Sequence, residues 1–192
     1  MRDEELEGIL SFLRATEELK NTLRSSRTSN GRHESTAEHT WRLCLIVLVF
    51  EKQYPELNIL KLLKICVIHD LGEAISGDIA AVDQVESVDK GANERKDLQV
   101  LIQPLPERLR IEILELWDDY ENASSEEAKL AKAFDKIETI LQHTQGKNPE
   151  DFNYKFNLTY GKKYTDYDAL TLAIRALIDK DTKALADGNI TM

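Results

Sequence analysis

The run Trp41 to Phe50, WRLCLIVLVF, limits what this chain can fold into more than any other stretch. It is apolar nearly all round, so a helix built from it belongs in the middle of a helical domain. Ser35 and Glu38 stand ahead of it at capping-box spacing and start that helix, and Pro55 marks its end. No strand-like alternation competes elsewhere, and no internal repeat is present, so the fold class is all-α.

The other helices follow from periodicity and caps. Leu6, Ile9, Leu10 and Leu13 give an amphipathic first helix from Asp3, ending near Asn21. Arg24 to Thr36, rich in Ser, Thr, Asn and Gly, reads as a loop that carries Arg24, Arg27 and Arg32. Asn58 caps a third helix over Ile59 to about Ser76. A long loop over Gly77 to Asn93 precedes helices at Glu94 to Gln103 and Pro106 to Tyr120. Ser124 and Glu127 repeat the capping-box spacing before a helix running to about His143. An aromatic connection, Gly146 to Asp166, leads to a last helix capped by Thr165 and ending near Asp179. The length of 192 residues suits one domain.

Charge narrows the partners. With 35 acidic against 25 basic residues, the net charge of -10 opposes binding a nucleic acid polymer or an anionic membrane surface, while leaving room for a small anion in a local basic pocket. The best apolar run is far shorter than the roughly 20 residues of a membrane span. The acidic N-terminus is unlike a signal peptide, and Cys44 and Cys66 sit in apolar runs as small core residues, so a cytoplasmic location is expected.

The chemistry concentrates in IHDLGEAISGDI, Ile68 to Ile79. His69 and Asp70 end an apolar run, KLLKICVI, where ionised groups are costly to bury without compensation. If the run is helical, Glu73 lies one turn on and shares their side, Gly77 stops the helix, and Asp78 follows. His39 stands at the start of the apolar helix, and Asp135 interrupts the apolar pattern Ala128, Ala131, Phe134, Ile137. A buried His–Asp pair, an ordinary hydrogen-bonded His39 and an Asp135 paired with a basic side chain would explain each feature singly. Together they make a set of two imidazoles and two carboxylates, which suits one divalent ion such as Mn²⁺, Co²⁺, Fe²⁺, Zn²⁺ or Mg²⁺. Of the four histidines only His33 and His143 remain, too few for a second metal.

The order H…HD…D, in STAEHTW, IHDLGEAISGD and AKAFDKIE, resembles the HD-domain metal-dependent phosphohydrolases, and most of all their small members related to the 5′-deoxynucleotidases. The likeness spans about Leu19 to Ile140. It implies an HD-domain helical bundle of about six to eight helices, with the HD core at about 19–145, a C-terminal loop and helix at 146–181 and a frayed tail at 182–192. It implies a metal held by His39, His69, Asp70 and Asp135, Glu73 in proton transfer, Asp78 facing the substrate or acting in catalysis, and Arg24 on the phosphate or sugar. Arg32 or His33 is a second anion contact. Where that group often carries a Trp against deoxyribose, this chain has Ser25, Ser26 and Arg27. The implied reaction is removal of the 5′-phosphate of a (deoxy)nucleoside monophosphate by attack of a metal-activated water. Alternatives are a nucleotide-sensing module without turnover and a hydrolase of another phosphorylated metabolite. The resemblance also implies a homodimer.

Overall fold

A computed structural model describes residues 2–79 and 90–188. In chain order the elements are α1 (Asp3–Ala15), β1 (Leu23–Arg27), β2 (His33–Ser35), α2 (Thr36–Phe50), α3 (Ile59–Ile68), α4 (Glu73–Ser76), α5 (Lys90–Leu101), α6 (Glu107–Asn122), α7 (Glu126–Gln145), α8 (Tyr154–Asn157), α9 (Lys162–Thr165) and α10 (Ala169–Ala186). The fold is an all-α bundle with one two-stranded antiparallel hairpin. Among the described residues no helix is long and apolar enough to cross a membrane.

The central helix is α7 rather than α2. Leu130, Ala131, Phe134, Ile137 and Ile140 of α7 are buried against α2, α3 and α10. In α2 only Thr36, His39, Leu43 and Val47 are buried, one stripe at three- and four-residue spacing. Trp41, Leu45, Leu48 and Val49 remain exposed, so the all-round apolar character of this helix does not translate into all-round burial. A second apolar cluster gathers Leu19, Ile68, Leu71, Leu98, Ile102 and Trp117 around α5 and α6. The C-terminal end of α3 lies between the two clusters.

The expected helix from Ile59 to Ser76 breaks there. Asn58 caps its start by accepting from the Lys61 amide at 3.0 Å. After His69, whose amide still reaches Ile65 O, the hydrogen bonds tighten to three-residue steps, Leu71 to Ile68 and Glu73 to Asp70. The His69 carbonyl instead accepts from the Trp117 indole at 3.0 Å. The backbone of Glu94 passes so close to Gly72 that a Cβ there would lie 2.7 Å from its oxygen. Glu73 therefore starts a separate short helix, α4, which Gly77 ends with φ 83°.

The stretch expected as a loop over Arg24 to Thr36 is the hairpin, paired Leu23 with Ser35 and Arg27 with His33. Polar residues hide its alternation: Ser26 and Glu34 are the buried side chains. Its tip is tied to the end of α7, where Gln142 Nε2 donates to Arg27 O at 2.6 Å and the Lys147 amide to Thr28 O at 3.0 Å. Gly146 makes this possible, since a Cβ would stand 2.1 Å from Arg27 O.

Ser35 and Glu38 form the expected capping box of α2. Ser125, not Ser124, caps α7 by accepting from the Ala128 amide, and the Glu127 carboxylate accepts from the Asn58 amide. Asp168 rather than Thr165 caps α10, in a reciprocal box with Thr171, and the helix runs to Ala186, past the expected end near Asp179. Within the expected loop 77–93, Lys90 to Asn93 are helical, and residues 80–89 lie outside the described part, as does the tail at 189–192.

Candidate metal centre

His39 is fully buried in the first turns of α2, where the Ser35 cap fixes the helix start. Its Nδ1 hydrogen-bonds the Glu138 carboxylate. His69 donates from Nδ1 to Cys66 O at 2.8 Å. Each ring thus has one nitrogen engaged by the protein, and each Nε2 is buried without a hydrogen-bond partner among the described residues. Both unpartnered nitrogens face carboxylates. Asp70 Oδ2 lies 3.1 Å from His69 Nε2 and 3.7 Å from His39 Nε2, and Asp135 Oδ1 lies 3.3 Å from His39 Nε2. Atoms that share an ion at about 2.0–2.2 Å each are separated by distances of this order. His39, His69 and Asp70 offer ligand atoms that all lie within 4.8 Å of one another, a set that fits a borderline-to-hard divalent cation, with Asp135 beside His39.

The protonation pattern agrees. Burial and the Arg24 charge push the His39 pKa down, but the Glu138 and Asp135 carboxylates outweigh them and raise it to about 10. Burial raises the Asp70 carboxyl, yet His69, His39 and Arg24 hold it below its ordinary range. Asp135 is likewise held low against burial by Lys136 and the two histidines, and its Oδ2 accepts from Tyr120 at 2.7 Å. A proton on His39 balances carboxylates that a divalent ion would otherwise balance.

A layer behind these residues was hidden in the sequence. Glu138, fully buried, accepts from Arg42 Nε at 2.6 Å on the side away from His39. Glu34 accepts from Ser26 at 2.9 Å and lies 3.7 Å from Arg24 Nε. Glu34, His39 and Glu138 also form a compact acidic set, but the Arg42 guanidinium already supplies its cation. The three-residue step from Asp135 to Glu138 on one helix face was the available signal for Glu138. Reading the hairpin as a loop concealed Glu34.

His69, Asp70 and Asp135 line a cavity of about 1020 Å³ whose lining also includes Arg24, His33, Glu73 and Asp78. Arg24 reaches from β1 to within 3.6 Å of Asp70 Oδ2 and donates to Thr139 Oγ1 at 3.2 Å. His33 is anchored through Nδ1 to Arg24 O. Glu73 is buried and accepts from Thr36 at 2.9 Å. Burial, then the Asp70 and Asp78 charges, push its pKa up to about 9, so it holds its proton at neutral pH. Arg32 is not among the residues that line the cavity; its exposed guanidinium pairs with Glu38 at the hairpin end.

Residues 16–174 match the family model described as HD domain. The chain belongs to the HD-domain family. Among its relatives, the 5′-deoxynucleotidase HDDC2 of Mus musculus is 35% identical over 146 residues, 75% of this chain and 72% of the relative. The 5′-deoxynucleotidase hdd1 of Schizosaccharomyces pombe is 36% identical over 141 residues, 70% of each chain. A structure described as a predicted metal-dependent phosphohydrolase from Magnetospirillum magnetotacticum superimposes with a TM-score of 0.77 at 23% identity, over 95% of this chain and 98% of the other, and supports the fold.

In this HD-domain protein the last histidine is not the helix-end surface group its position implies. His143 is buried and lines the cavity, with Nδ1 3.2 Å from Asn157 Oδ1. Burial pushes its pKa down to about 4, the Arg24 charge adds to this, and the Asn157 hydrogen bond only partly opposes it. The folded protein thus requires a neutral ring, whereas the unfolded chain takes up a proton below about 6.5. His143 should therefore cost no stability above pH 6.5 and about 3 kcal/mol as the pH falls through 4. Urea unfolding at pH 7.5 and pH 5 measures this. A His143→Asn variant should lose less stability across that interval than the wild type, and an equal loss would contradict the assignment.

Proposed function

We propose that the protein is a metal-dependent phosphohydrolase that removes the 5′-phosphate of (deoxy)nucleoside monophosphates. The observation that carries this reading is the pair of buried, unpartnered Nε2 atoms of His39 and His69, facing Asp70 and Asp135 beneath an arginine in one cavity. The relatives named 5′-deoxynucleotidase support the substrate class.

His39, His69, Asp70 and Asp135 would hold one divalent ion. Bound there, it supplies Lewis acidity that draws charge from a phosphoryl oxygen and makes water acidic enough to be a nucleophile near neutral pH. Arg24 lines the cavity beside Asp70, where its guanidinium can meet a phosphate oxygen. Glu73 holds a proton on a carboxyl oriented by Thr36 and can pass it to the departing sugar oxygen. Asp78, on the same cavity wall, faces the substrate, and His33 supports Arg24 through its carbonyl. The chain works as one domain, 1–192, and two free cysteines support a cytoplasmic setting. The exposed apolar face of α2 supports a homodimer, which light scattering tests.

A screen of divalent metals against 5′-mononucleotides, triphosphates, cyclic nucleotides and sugar phosphates tests the reading. Phosphate release is expected from monophosphates only with metal present. Tight nucleotide binding without release would favour the sensing alternative, and turnover confined to another phosphate ester would overturn the substrate assignment.

A further inference from the structure

The phosphate chemistry occupies one end of the cavity, and α7 measures the distance to the other. Asp135, Thr139 and His143 all line it at four-residue spacing on one helix face. Asp135 and His143 are about 12 Å apart along the axis at 1.5 Å per residue. Arg24 binds Thr139 midway. A phosphate near Asp135, a sugar beside Arg24 and a base near His143 would lie in line along this face.

The far end has the chemistry of a site for a flat ring. Phe152 meets His143 edge to face, with centroids 5.0 Å apart, and Phe156 stacks on Tyr160 at 5.3 Å. All three aromatic side chains line the cavity and are only half-buried. Between them stands Asn157, 1% exposed. Its Oδ1 faces His143 Nδ1, while its Nδ2 is buried without a hydrogen-bond partner among the described residues. A buried amide donor left unpaired is costly, and an acceptor brought in by a ligand would relieve that cost.

The wall is also rigid. Arg175 of α10, 3% exposed, donates to Asn157 O at 2.7 Å, Tyr160 O at 2.8 Å and Thr165 Oγ1 at 3.3 Å, with Asp179 holding its Nε at 2.7 Å. One buried guanidinium thus fixes the backbone of α8, the turn after it and α9. Preorganised aromatic faces with one fixed donor recognise a planar heteroaromatic ring rather than a second charged group.

We propose that the His143 end of the cavity is a nucleobase subsite in which Phe152 and Phe156 pack against the base and Asn157 Nδ2 donates to a carbonyl oxygen or ring nitrogen on its edge. This rests on the nucleotide reading above. Stacking on an aromatic face tolerates any base, so the subsite separates nucleotides from baseless sugar phosphates more than one base from another.

The test compares a 5′-deoxynucleotide with 2-deoxyribose 5-phosphate in the metal-loaded, full-length enzyme, and measures binding of the free nucleoside by calorimetry. Phe156→Ala, at a half-buried position, should raise KM for the nucleotide about ten-fold or more with little change in kcat. It should weaken nucleoside binding by a similar factor and leave kcat/KM for the sugar phosphate unchanged. Asn157→Asp removes the donor but keeps an acceptor for His143, and should behave alike. Equal losses on both substrates, or no loss on the nucleotide, would overturn the subsite. If the wild type hydrolyses nothing but binds the nucleoside, and Phe156→Ala weakens that binding, the subsite stands and the hydrolase reading falls. If it hydrolyses sugar phosphate yet binds no nucleoside, the subsite falls alone.

Discussion

Asp70→Ala should reduce metal-dependent phosphate release by about 10³-fold or more and should lower the amount of metal that stays bound after gel filtration. Asp70 Oδ2 lies near the His69 and His39 Nε2 atoms and the Arg24 guanidinium, at 3.1, 3.7 and 3.6 Å. Its removal takes a negative charge from the focus of three positive or ligating groups. Two losses then coincide: a donor to the metal and the partner that orients Arg24. The fold should survive, since among the described residues no hydrogen bond to backbone depends on this side chain, which is 19% exposed. Metal analysis, phosphate release and circular dichroism on one preparation separate the cases. Full metal content with full activity would remove Asp70 from the centre, while a melted protein would show that its role is structural.

The candidate site was more legible in the sequence than the frame around it. His39, His69, Asp70 and Asp135 stand out because polar, ligating side chains in apolar runs demand a reason; in the structure the ligand atoms of His39, His69 and Asp70 cluster, and Asp135 lies beside His39. Caps were legible where the capping side chain had no rival, as with Ser35 and Asn58. They were misread by one residue at Ser124 and by three at Thr165, where a neighbouring Ser125 or Asp168 had better reach. Tertiary contacts made the larger differences. The Trp117 indole takes the His69 carbonyl and ends α3 where periodicity alone would continue the helix. Apolar pattern could not tell which apolar helix is central, because Trp41 and Val49 stay outside while polar Gln142 and Glu138 go inside. Hairpin residues Ser26 and Glu34 are buried as a hydrogen-bonded pair, so no hydrophobic alternation announces the strands.

Glu138 is the part of the centre that sequence reasoning passed over, and its removal should have two effects of different kinds. Its two oxygens divide their work: Oε2 engages His39 Nδ1, and Oε1 accepts from Arg42 Nε at 2.6 Å. Burial opposes its charge, but His39 and Arg42 keep its pKa below the ordinary value, so the carboxylate stays ionised. Glu138→Ala leaves the Arg42 guanidinium with Glu34 alone, 3.8 Å away, and takes the hydrogen-bond partner from His39 Nδ1. Breaking a buried pair on one side costs about 3–5 kcal/mol, which for a chain of this size lowers Tm by about 10 °C. A histidine that loses the group holding its far nitrogen is also a poorer ligand, and metal affinity should fall about 10–100-fold. Glu138→Gln separates the two effects. Its amide oxygen can still accept from His39, so metal affinity should recover further than Tm, since the neutral side chain no longer balances Arg42. Calorimetric metal titration and thermal melting of both variants measure the pair of effects. If Glu138→Ala bound metal like the wild type, His39 would have to be held by its helix alone.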